Sequence, residues 1–396
     1  MMKTEQIEQS LMRWLQDHEA DMFALLEKLV NIDSGSYHKP GVDQVQHVLK
    51  QHLEVAGIEV ESIPMPTRGN CLLATIPGSA GKGAPHVLLL GHMDTVFPAG
   101  TVAQRPFRVE GNVAYGPGVA DMKAGLVMNT FVARAFKALG CNHLPIHVLY
   151  TGDEEIASPA SRELTIEMAK GAATVLNAEP GRPTGNVVVE RKGAFFIDFE
   201  VDGVSAHAGV NHDQGASAIE ALAHKILALH QLTDRSKGIT TNVGTVQGGV
   251  SVNTVAPLAR GQLDVRFPST VDQEALHAQI LSIIESASLP CTCGRVTQEG
   301  NFLPLFQNAA SKALLADYQE AAARVGYEVK GESTGGSADS GLTAAAGAPT
   351  LCATGPIGGK VHTPDEYCLL DSILPRAQAV ALTILGRDEQ ASNGNQ

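Results

Sequence analysis

The amino-acid sequence predicts an α/β protein with a mostly parallel sheet, into which a smaller α+β open sandwich is inserted. Short, continuously apolar runs alternate with helical patterns in the first part of the chain, and this alternation resumes near Phe302. Such runs are typical of strands that are buried on both faces of a parallel sheet. Between them lies a region of longer β-type runs with only two helices, so we expect two compact units within the 396 residues.

The larger predicted domain begins with a layer of helices that covers the sheet. Apolar side chains recur at helical spacing, which predicts helices over residues 5–16, 20–31, 43–56 and 122–139. Runs rich in branched residues predict strands over residues 71–76, 86–90, 146–150 and 174–177. After the insertion, helices are predicted over residues 309–325 and 373–385, with an apolar run between them at residues 349–353. We assign residues 1–188 and 301–396 to this domain.

Residues 189–300 have the pattern of a separate, inserted domain. The predicted β-type runs cover residues 187–201, 240–247, 251–255, 258–267 and 295–298. Helical spacing of apolar residues predicts two helices, over residues 215–232 and 271–287. Strands, helix, strands, helix and strand, with both helices on one face, is the order of a ferredoxin-like open sandwich.

Charge and hydropathy exclude several classes of partner. The formal net charge of −13 disfavours nucleic acids and anionic membranes, because phosphate groups are bound by basic surfaces. The first residues lack the pattern of a secretory signal, and no uncharged apolar run reaches membrane-spanning length. The sequence therefore predicts a cytoplasmic protein without a nucleic-acid or membrane partner.

Polar side chains follow the ends of several predicted strands. His92 and Asp94 follow one buried run in the segment HVLLLGHMDTV. Side chains two positions apart in an extended chain point to the same side, so Asp94 can accept a hydrogen bond from one imidazole nitrogen while the other binds a metal ion. Without further ligands such a pair is more often a surface pair, and Asp121, in the turn GPGVADMKAG before a helix, could equally be a helix cap.

Further carboxylates and a second histidine occupy comparable positions. Asp153, Glu154 and Glu155 end another predicted strand, Glu179 ends a third, and His362 follows a glycine-rich turn. Adjacent carboxylates raise one another's pKa unless a cation relieves the repulsion, although an exposed acidic turn would avoid this conflict. Because open α/β sheets place their active sites beyond the carboxyl ends of the strands, the joint placement of these groups favours a metal site.

The chain resembles, over nearly its whole length, the zinc exopeptidases that include glutamate carboxypeptidase, acetylornithine deacetylase and succinyl-diaminopimelate desuccinylase. Within that family it is most similar to the bacterial glutamate carboxypeptidases of the carboxypeptidase G type. The segments that carry the resemblance occur in the family's order: GHMDTV at 91–96, GVADMKAG at 118–125, DEE at 153–155, NAEP at 177–180 and HTPDEY at 362–367.

The resemblance implies two zinc ions per chain, for which cobalt or manganese could substitute, with Asp121 as the bridging ligand. His92 and Glu179 would complete the ligand set of one ion, and Glu155 and His362 that of the other. Carboxylate and imidazole ligands accept any of these metals, so the ligand set does not select among them.

The resemblance also implies roles for neighbouring residues. Asp94 would orient His92, and Glu154 would be the general base that takes a proton from water and returns it to the leaving amine. It further implies a cis peptide bond between Asp121 and Met122.

In the family, the inserted domain is also the dimerisation domain, so the resemblance implies a homodimer formed through residues 189–300. His207 would reach the partner subunit's active site and stabilise the oxyanion. Asn253 and Arg266 would hold the substrate carboxylate, a role that suits the planar guanidinium fork of arginine. Lys192 matches another basic position near the site, although a solvated lysine is an equal alternative.

Taken together, the residues and the resemblance predict an enzyme that hydrolyses an amide bond next to a free carboxylate. Its substrate would be a small peptide or an N-acyl amino acid, and the expected activity is a carboxypeptidase that releases a C-terminal amino acid such as glutamate. An N-acyl-amino-acid deacylase or a dipeptidase would use the same metal site, and a binding protein that retains the fold is a remote alternative. Ile156, Pro159 and Lys360 depart from the family pattern and leave the accepted side chain open.

Overall fold

The structure is a computed structural model that describes residues 4–81 and 83–394. It divides into two compact units. The first contains the described residues up to Glu190, the segment Phe306–Thr334 and the described residues from Ala338 onwards, and the second contains Arg191–Leu305 and Gly335–Ser337. The chain passes from the first unit to the second after Glu190 and returns after Leu305, whereas the sequence placed these boundaries after residues 188 and 300.

Helices and strands are numbered in chain order along the described residues. The helices are α1 Thr4–Asp17, α2 Glu19–Val30, α3 Lys39–Glu54, α4 Thr101–Gln104, α5 Ala124–Leu139, α6 Arg162–Ala169, α7 Ala218–His230, α8 Gln273–Glu285, α9 Ala309–Arg324, α10 Ser340–Ala345 and α11 Ile373–Gly394. The strands are β1 Glu59–Ile63, β2 Cys71–Ile76, β3 His86–His92, β4 Arg108–Glu110, β5 Val113–Tyr115, β6 Ile146–Thr151, β7 Ala172–Asn177, β8 Val187–Arg191, β9 Gly193–Asp202, β10 Thr240–Gly248, β11 Leu258–Phe267, β12 Cys293–Phe302, β13 Gly331–Thr334, β14 Thr350–Cys352, β15 Gly358–Gly359 and β16 Tyr367–Leu369. Among these residues, no helix is both long enough and apolar enough to cross a membrane.

The first unit is built on an eight-stranded sheet in the order β1-β2-β6-β3-β7-β14-β8-β13. Its centre, β6-β3-β7-β14, is parallel, and the predicted fold class is confirmed. The predicted strand over residues 71–76 is present as β2, but it pairs antiparallel with both β1 and β6. The partner β1 was not predicted, because none of its side chains is fully buried and its residues form no apolar run.

Helices enclose this sheet and fix the segment that precedes α5. Most side chains of α5 are buried, so the helix lies within the core rather than on its surface. Gly125, at the start of α5, allows a close approach, since a Cβ atom there would lie 2.0 Å from the backbone oxygen of Ala178. This contact places the loop before α5 directly beside the carboxyl end of β7, and so brings Asp121 near Glu179.

The second unit is a four-stranded antiparallel sheet in the order β10-β11-β9-β12, with α7 and α8 supplying helical residues to its core. Alternate side chains of β9, including Phe195 and Phe199, are buried with residues such as Leu222 and Ile280 of the helices. This is the predicted ferredoxin-like order. The predicted strand over residues 251–255 is wrong: the segment is a loop with an isolated bridge between His207 and Thr254, and its apolar side chains include the fully exposed Val252.

Candidate metal centre

His92 is the last residue of β3, and its two ring nitrogens face different carboxylates. Nδ1 lies 3.0 Å from the backbone oxygen of Asp94 and 3.4 Å from its Oδ1 atom, and Nε2 lies 3.1 Å from Oδ1 of Asp121. The Asp94 carboxylate in turn accepts hydrogen bonds from the Ser36 hydroxyl and from the backbone N–H groups of Glu154 and Glu155. Asp94 therefore connects the end of β3 to the turn that carries the two glutamates.

Asp121 lies in the turn between β5 and α5, and its side chain is shared by two histidines. Oδ1 faces Nε2 of His92 at 3.1 Å, and Oδ2 faces Nε2 of His362 at 3.3 Å. The peptide bond between Asp121 and Met122 is cis, as the resemblance implies. A carboxylate with one oxygen towards each histidine has the arrangement that a bridging ligand requires.

Two groups of side chains could each hold a metal ion, and Asp121 belongs to both. The first group is His92, Asp121 and Glu179, and the second is Asp121, Glu155 and His362. Within each group the candidate ligand atoms all lie within 4.8 Å of one another. Glu154 belongs to neither group, although its Oε2 atom lies 3.8 Å from Nε2 of His92.

The electrostatics of the site favour a bound cation. Burial, together with repulsion from Asp121, raises the pKa of Glu155 to about 7, and burial raises the pKa of Glu154 well above its usual value. Hydrogen bonds to Asp121 and Glu155 raise the pKa of His362 to about 11. Among the described residues, nothing hydrogen-bonds to the buried Oε1 atom of Glu155. Because uncompensated buried charge is costly, these carboxylate and imidazole donors fit divalent metal ions.

Asp153 is separated from the other two carboxylates of its motif. Its oxygens accept hydrogen bonds from the Ser161 hydroxyl at 2.5 Å and from the backbone N–H of Ala160 at 2.6 Å. Asp153 therefore closes the turn that follows β6, whereas Glu154 and Glu155 face the histidines. The sequence presented three adjacent carboxylates, but only two of them line the site.

Glu366 is a buried residue of the site that was not predicted. Its carboxylate accepts hydrogen bonds from the backbone N–H groups of Gly118, Ala120 and Asp121, at 3.3, 2.9 and 3.0 Å. It thereby holds the turn that carries the shared carboxylate. Its position within the HTPDEY segment was a signal, but a single acidic residue there gives no indication that it is buried.

Replacing Glu366 with glutamine is expected to lower metal affinity and activity by about 10- to 100-fold, the usual cost of losing a group that orients a metal ligand. The amide nitrogen cannot accept a hydrogen bond, so at least one backbone N–H loses its partner. Metal titration of the apoprotein measures the effect. Asp365→Asn is the matched control, because that neighbouring carboxylate is 75% exposed. Unchanged affinity in Glu366→Gln would contradict the positioning role.

Lys360 and His362 both have backbone conformations that L-residues seldom adopt, with φ angles of 52° and 63°. A left-handed conformation favours glycine, so both side chains stand on backbone that is strained for their residue types. The Lys360 side chain is exposed, and its Nζ atom lies 3.6 Å from Oδ2 of Asp365.

The second unit brings its four predicted residues together in two pairs, because the Ser337 hydroxyl accepts a hydrogen bond from Arg266 at 3.0 Å and donates one to the Lys192 carbonyl at 2.8 Å. His207 and Asn253 are exposed and adjacent, since the Asn253 carbonyl accepts a hydrogen bond from Ala208. Arg266 forms an ion pair with Asp264, with Nη2 and Oδ2 2.8 Å apart, and Lys192 donates a hydrogen bond to the Gly238 carbonyl at 2.5 Å.

Together, the α/β fold and the paired carboxylate and histidine groups at the carboxyl edge of its sheet define the class of protein, a hydrolase of the metallopeptidase type. The chain belongs to peptidase family M20/M25/M40, whose family model matches residues 88–386. The resemblance found in the sequence motifs is therefore confirmed.

Individual relatives agree with this assignment. The chain is 29% identical over 379 residues to carboxypeptidase G2 of Pseudomonas sp. (strain RS-16), with 93% of this chain and 89% of the relative covered. It is 30% identical over 239 residues to acetylornithine deacetylase of Proteus mirabilis (strain HI4320), with 56% and 59% covered. The M20 family metallo-carboxypeptidase Sso-CP2 of Sulfolobus solfataricus has a similar fold, with a TM-score of 0.77, 17% identity and coverage of 93% and 99%.

Proposed function

We propose that this protein is a dinuclear zinc hydrolase that cleaves an amide bond next to a free carboxylate and releases a C-terminal amino acid such as glutamate. The observation that carries the proposal is the pair of ligand groups that share Asp121, with Glu154 beside them but outside both groups. The similarity to carboxypeptidase G2 supports a carboxypeptidase.

His92, Asp121 and Glu179 would hold one ion, and Asp121, Glu155 and His362 the other. When bound, the two ions supply Lewis acidity towards the scissile carbonyl and lower the pKa of a water molecule. Asp94 keeps the His92 ring in place through the contacts at Nδ1, so that Nε2 is directed towards Asp121.

Glu154 is proposed to move the proton. Its carboxylate belongs to neither ligand group, so it is available to take a proton from the attacking water and return it to the leaving amine. Its backbone N–H donates to Asp94 Oδ1 at 3.1 Å, which positions this glutamate relative to the His92 ring.

The second unit is proposed to form a homodimer and to complete the partner subunit's site. His207 is exposed, as a group that acts on another subunit must be, and would stabilise the oxyanion. Arg266 and Asn253 would bind the substrate carboxylate, and Lys192 would add positive charge nearby.

Replacing His207 with alanine is expected to lower kcat by about 100-fold or more, because an oxyanion donor acts mainly in the transition state. Steady-state kinetics of metal-loaded protein measures this change, and His212→Ala, a nearby exposed histidine, is the control. If His207 acts across the dimer, co-expression of the His207→Ala and Glu154→Gln chains should restore part of the activity, since one site of the mixed dimer is complete. Near-normal turnover by His207→Ala alone would remove this residue from the mechanism.

A deacylase is the second candidate, and the similarity to acetylornithine deacetylase favours it. An N-acyl-amino-acid deacylase or dipeptidase would use the same ligands and the same base, so the structure of the metal centre does not separate these activities.

Elemental analysis and a substrate panel test the proposal. The panel contains C-terminal glutamyl, aspartyl and neutral amino-acid amides together with N-acyl amino acids, assayed before and after chelation. About two zinc ions per chain and chelator-sensitive release of glutamate would support the proposed carboxypeptidase. Preference for acetylated amino acids would favour the deacylase, and inactivity after metal is restored would contradict both.

A further inference from the structure

A cavity of about 490 Å³ lies within the first unit and shares a residue with the candidate metal centre. Glu155 lines the cavity, and its Oε2 atom is also 3.1 Å from Nε2 of His362. The remaining lining residues come from two segments, 35–38 and 95–99, and from Ile156. Glu155 therefore borders both the cavity and the candidate metal centre.

The two segments that line the cavity are fixed to each other by backbone contacts. The N–H of Thr95 donates to the Ser34 carbonyl at 2.9 Å, and the N–H of Ser36 donates to the Thr95 carbonyl at 3.2 Å. A Cβ atom on Gly35 would lie 2.4 Å from the backbone oxygen of Phe97, so the segments are in close contact. The cavity is thus largely formed before a ligand arrives, as most small-molecule sites are.

Ile156 is held in the cavity wall by the turn that follows Glu155. Ala157 and Ser158 have φ angles of 69° and 54°, and the Ser158 N–H donates to the Asp153 carbonyl at 2.9 Å. The Ser158 hydroxyl also donates to Oδ1 of the buried Asp339 at 2.6 Å. Because these contacts hold the turn, the backbone at Ile156 has a defined position in the cavity wall.

Several side chains of the lining offer apolar surface to a ligand. Tyr37, Val96, Phe97 and Ile156 present apolar surface, and Tyr37 and Val96 are 67% and 41% exposed despite their size. His38 and Glu155 also line the cavity, and the guanidinium groups of Arg68 and Arg105 lie 4.7 Å from the ring centroids of Tyr37 and Phe97. An apolar group would lose water from its surface on binding to these side chains, and this loss favours binding.

We propose that this cavity receives a bulky apolar acyl group on the carbonyl side of the scissile amide, and that Ile156 is a specificity-determining residue for it. This inference rests on the proposed function, in which the amino acid on the other side of the amide carries the free carboxylate. That amino acid requires cationic partners, so the acyl group is the part of the substrate that the apolar cavity suits.

Pairs of N-acyl amino acids that differ only in the acyl group test the inference. We expect kcat/KM for N-phenylacetyl substrates to exceed that for N-acetyl substrates by about 10- to 100-fold, the scale at which an apolar pocket discriminates by size. Each pair is measured with C-terminal glutamate, aspartate and a neutral amino acid, so that the result does not depend on which amino acid is released.

Two variants, one in each of two segments of the lining, test whether the cavity causes the preference for the larger acyl group. Ile156→Ala and Val96→Ala should each lower the ratio of phenylacetyl to acetyl kcat/KM by about tenfold, with metal content unchanged, while Ile156→Leu retains it. Val55→Ala is the control, because this apolar residue is 86% exposed and does not line the cavity.

The outcomes separate this inference from the proposed function. Equal kcat/KM for the two acyl groups, or an unchanged ratio in both alanine variants, would overturn the inference and leave the amidohydrolase intact. Absence of hydrolysis of every panel member by the metal-loaded protein would overturn the proposed function, and the inference with it.

Discussion

Replacing Glu154 with glutamine is expected to lower kcat by about 100- to 10,000-fold while two metal ions stay bound, which is the range that a general base contributes. Glutamine has nearly the shape of glutamate but cannot take up the proton of the attacking water. The ligand groups around Asp121 do not include Glu154, so metal binding should survive the change. Steady-state kinetics and elemental analysis of the same preparation measure both quantities.

Glu155→Gln is the matched control, because the neighbouring glutamate is a candidate ligand whose Oε2 atom lies 3.1 Å from Nε2 of His362. This variant should lose metal as well as activity. Loss of zinc from Glu154→Gln, with retention in Glu155→Gln, would show that the two roles are exchanged.

Replacing Asp121 with alanine is expected to reduce the metal content from about two ions per chain to nearly none, and to abolish activity. Asp121 is the residue that the two ligand groups share, and its two oxygens face His92 and His362 separately. Its removal leaves each group with two ligands. The measurement is elemental analysis after dialysis against buffer containing a fixed low concentration of free zinc.

His362→Ala provides the comparison, since His362 belongs to one group. That variant should retain one ion under the same dialysis conditions. An Asp121→Ala variant that still holds two ions would refute the shared-ligand arrangement. Circular dichroism of both variants establishes that the fold persists without metal.

The regular elements of this fold could be predicted because their hydrophobic periods are strong. Strand β3 is a continuously apolar run and α5 a long apolar helix, and both were predicted close to their observed positions. The edge strand β1 was missed because it buries little, and the loop at residues 251–255 was predicted as a strand from its branched residues alone. Local composition does not reveal whether a partner strand is available.

The residues of the candidate site were likewise predicted only in part. Its histidines and carboxylates were recognised because each follows a strand or turn and has the chemistry of a metal ligand. Glu366 and Ser36 were not recognised, since their contribution depends on donors and acceptors that are distant in sequence: the N–H groups near Asp121 and the carboxylate of Asp94. Asp153 is an acidic residue in the same motif as Glu154 and Glu155, so the sequence did not distinguish it from them. Its hydrogen bonds with Ser161 and Ala160 direct its carboxylate away from the histidines.

The sequence by itself determined the α/β class, the family and the set of residues able to bind metal, because strand periodicity and motif order are local properties of the chain. Only the tertiary structure decided that Glu366 holds the turn of Asp121, that Asp153 is bonded away from the candidate site, and that Ile156 lines a mostly apolar cavity bordered by Glu155. These facts depend on the packing of strand ends and loops from separate parts of the chain. Close contacts such as that of Gly125 with the backbone of Ala178 bring these segments together.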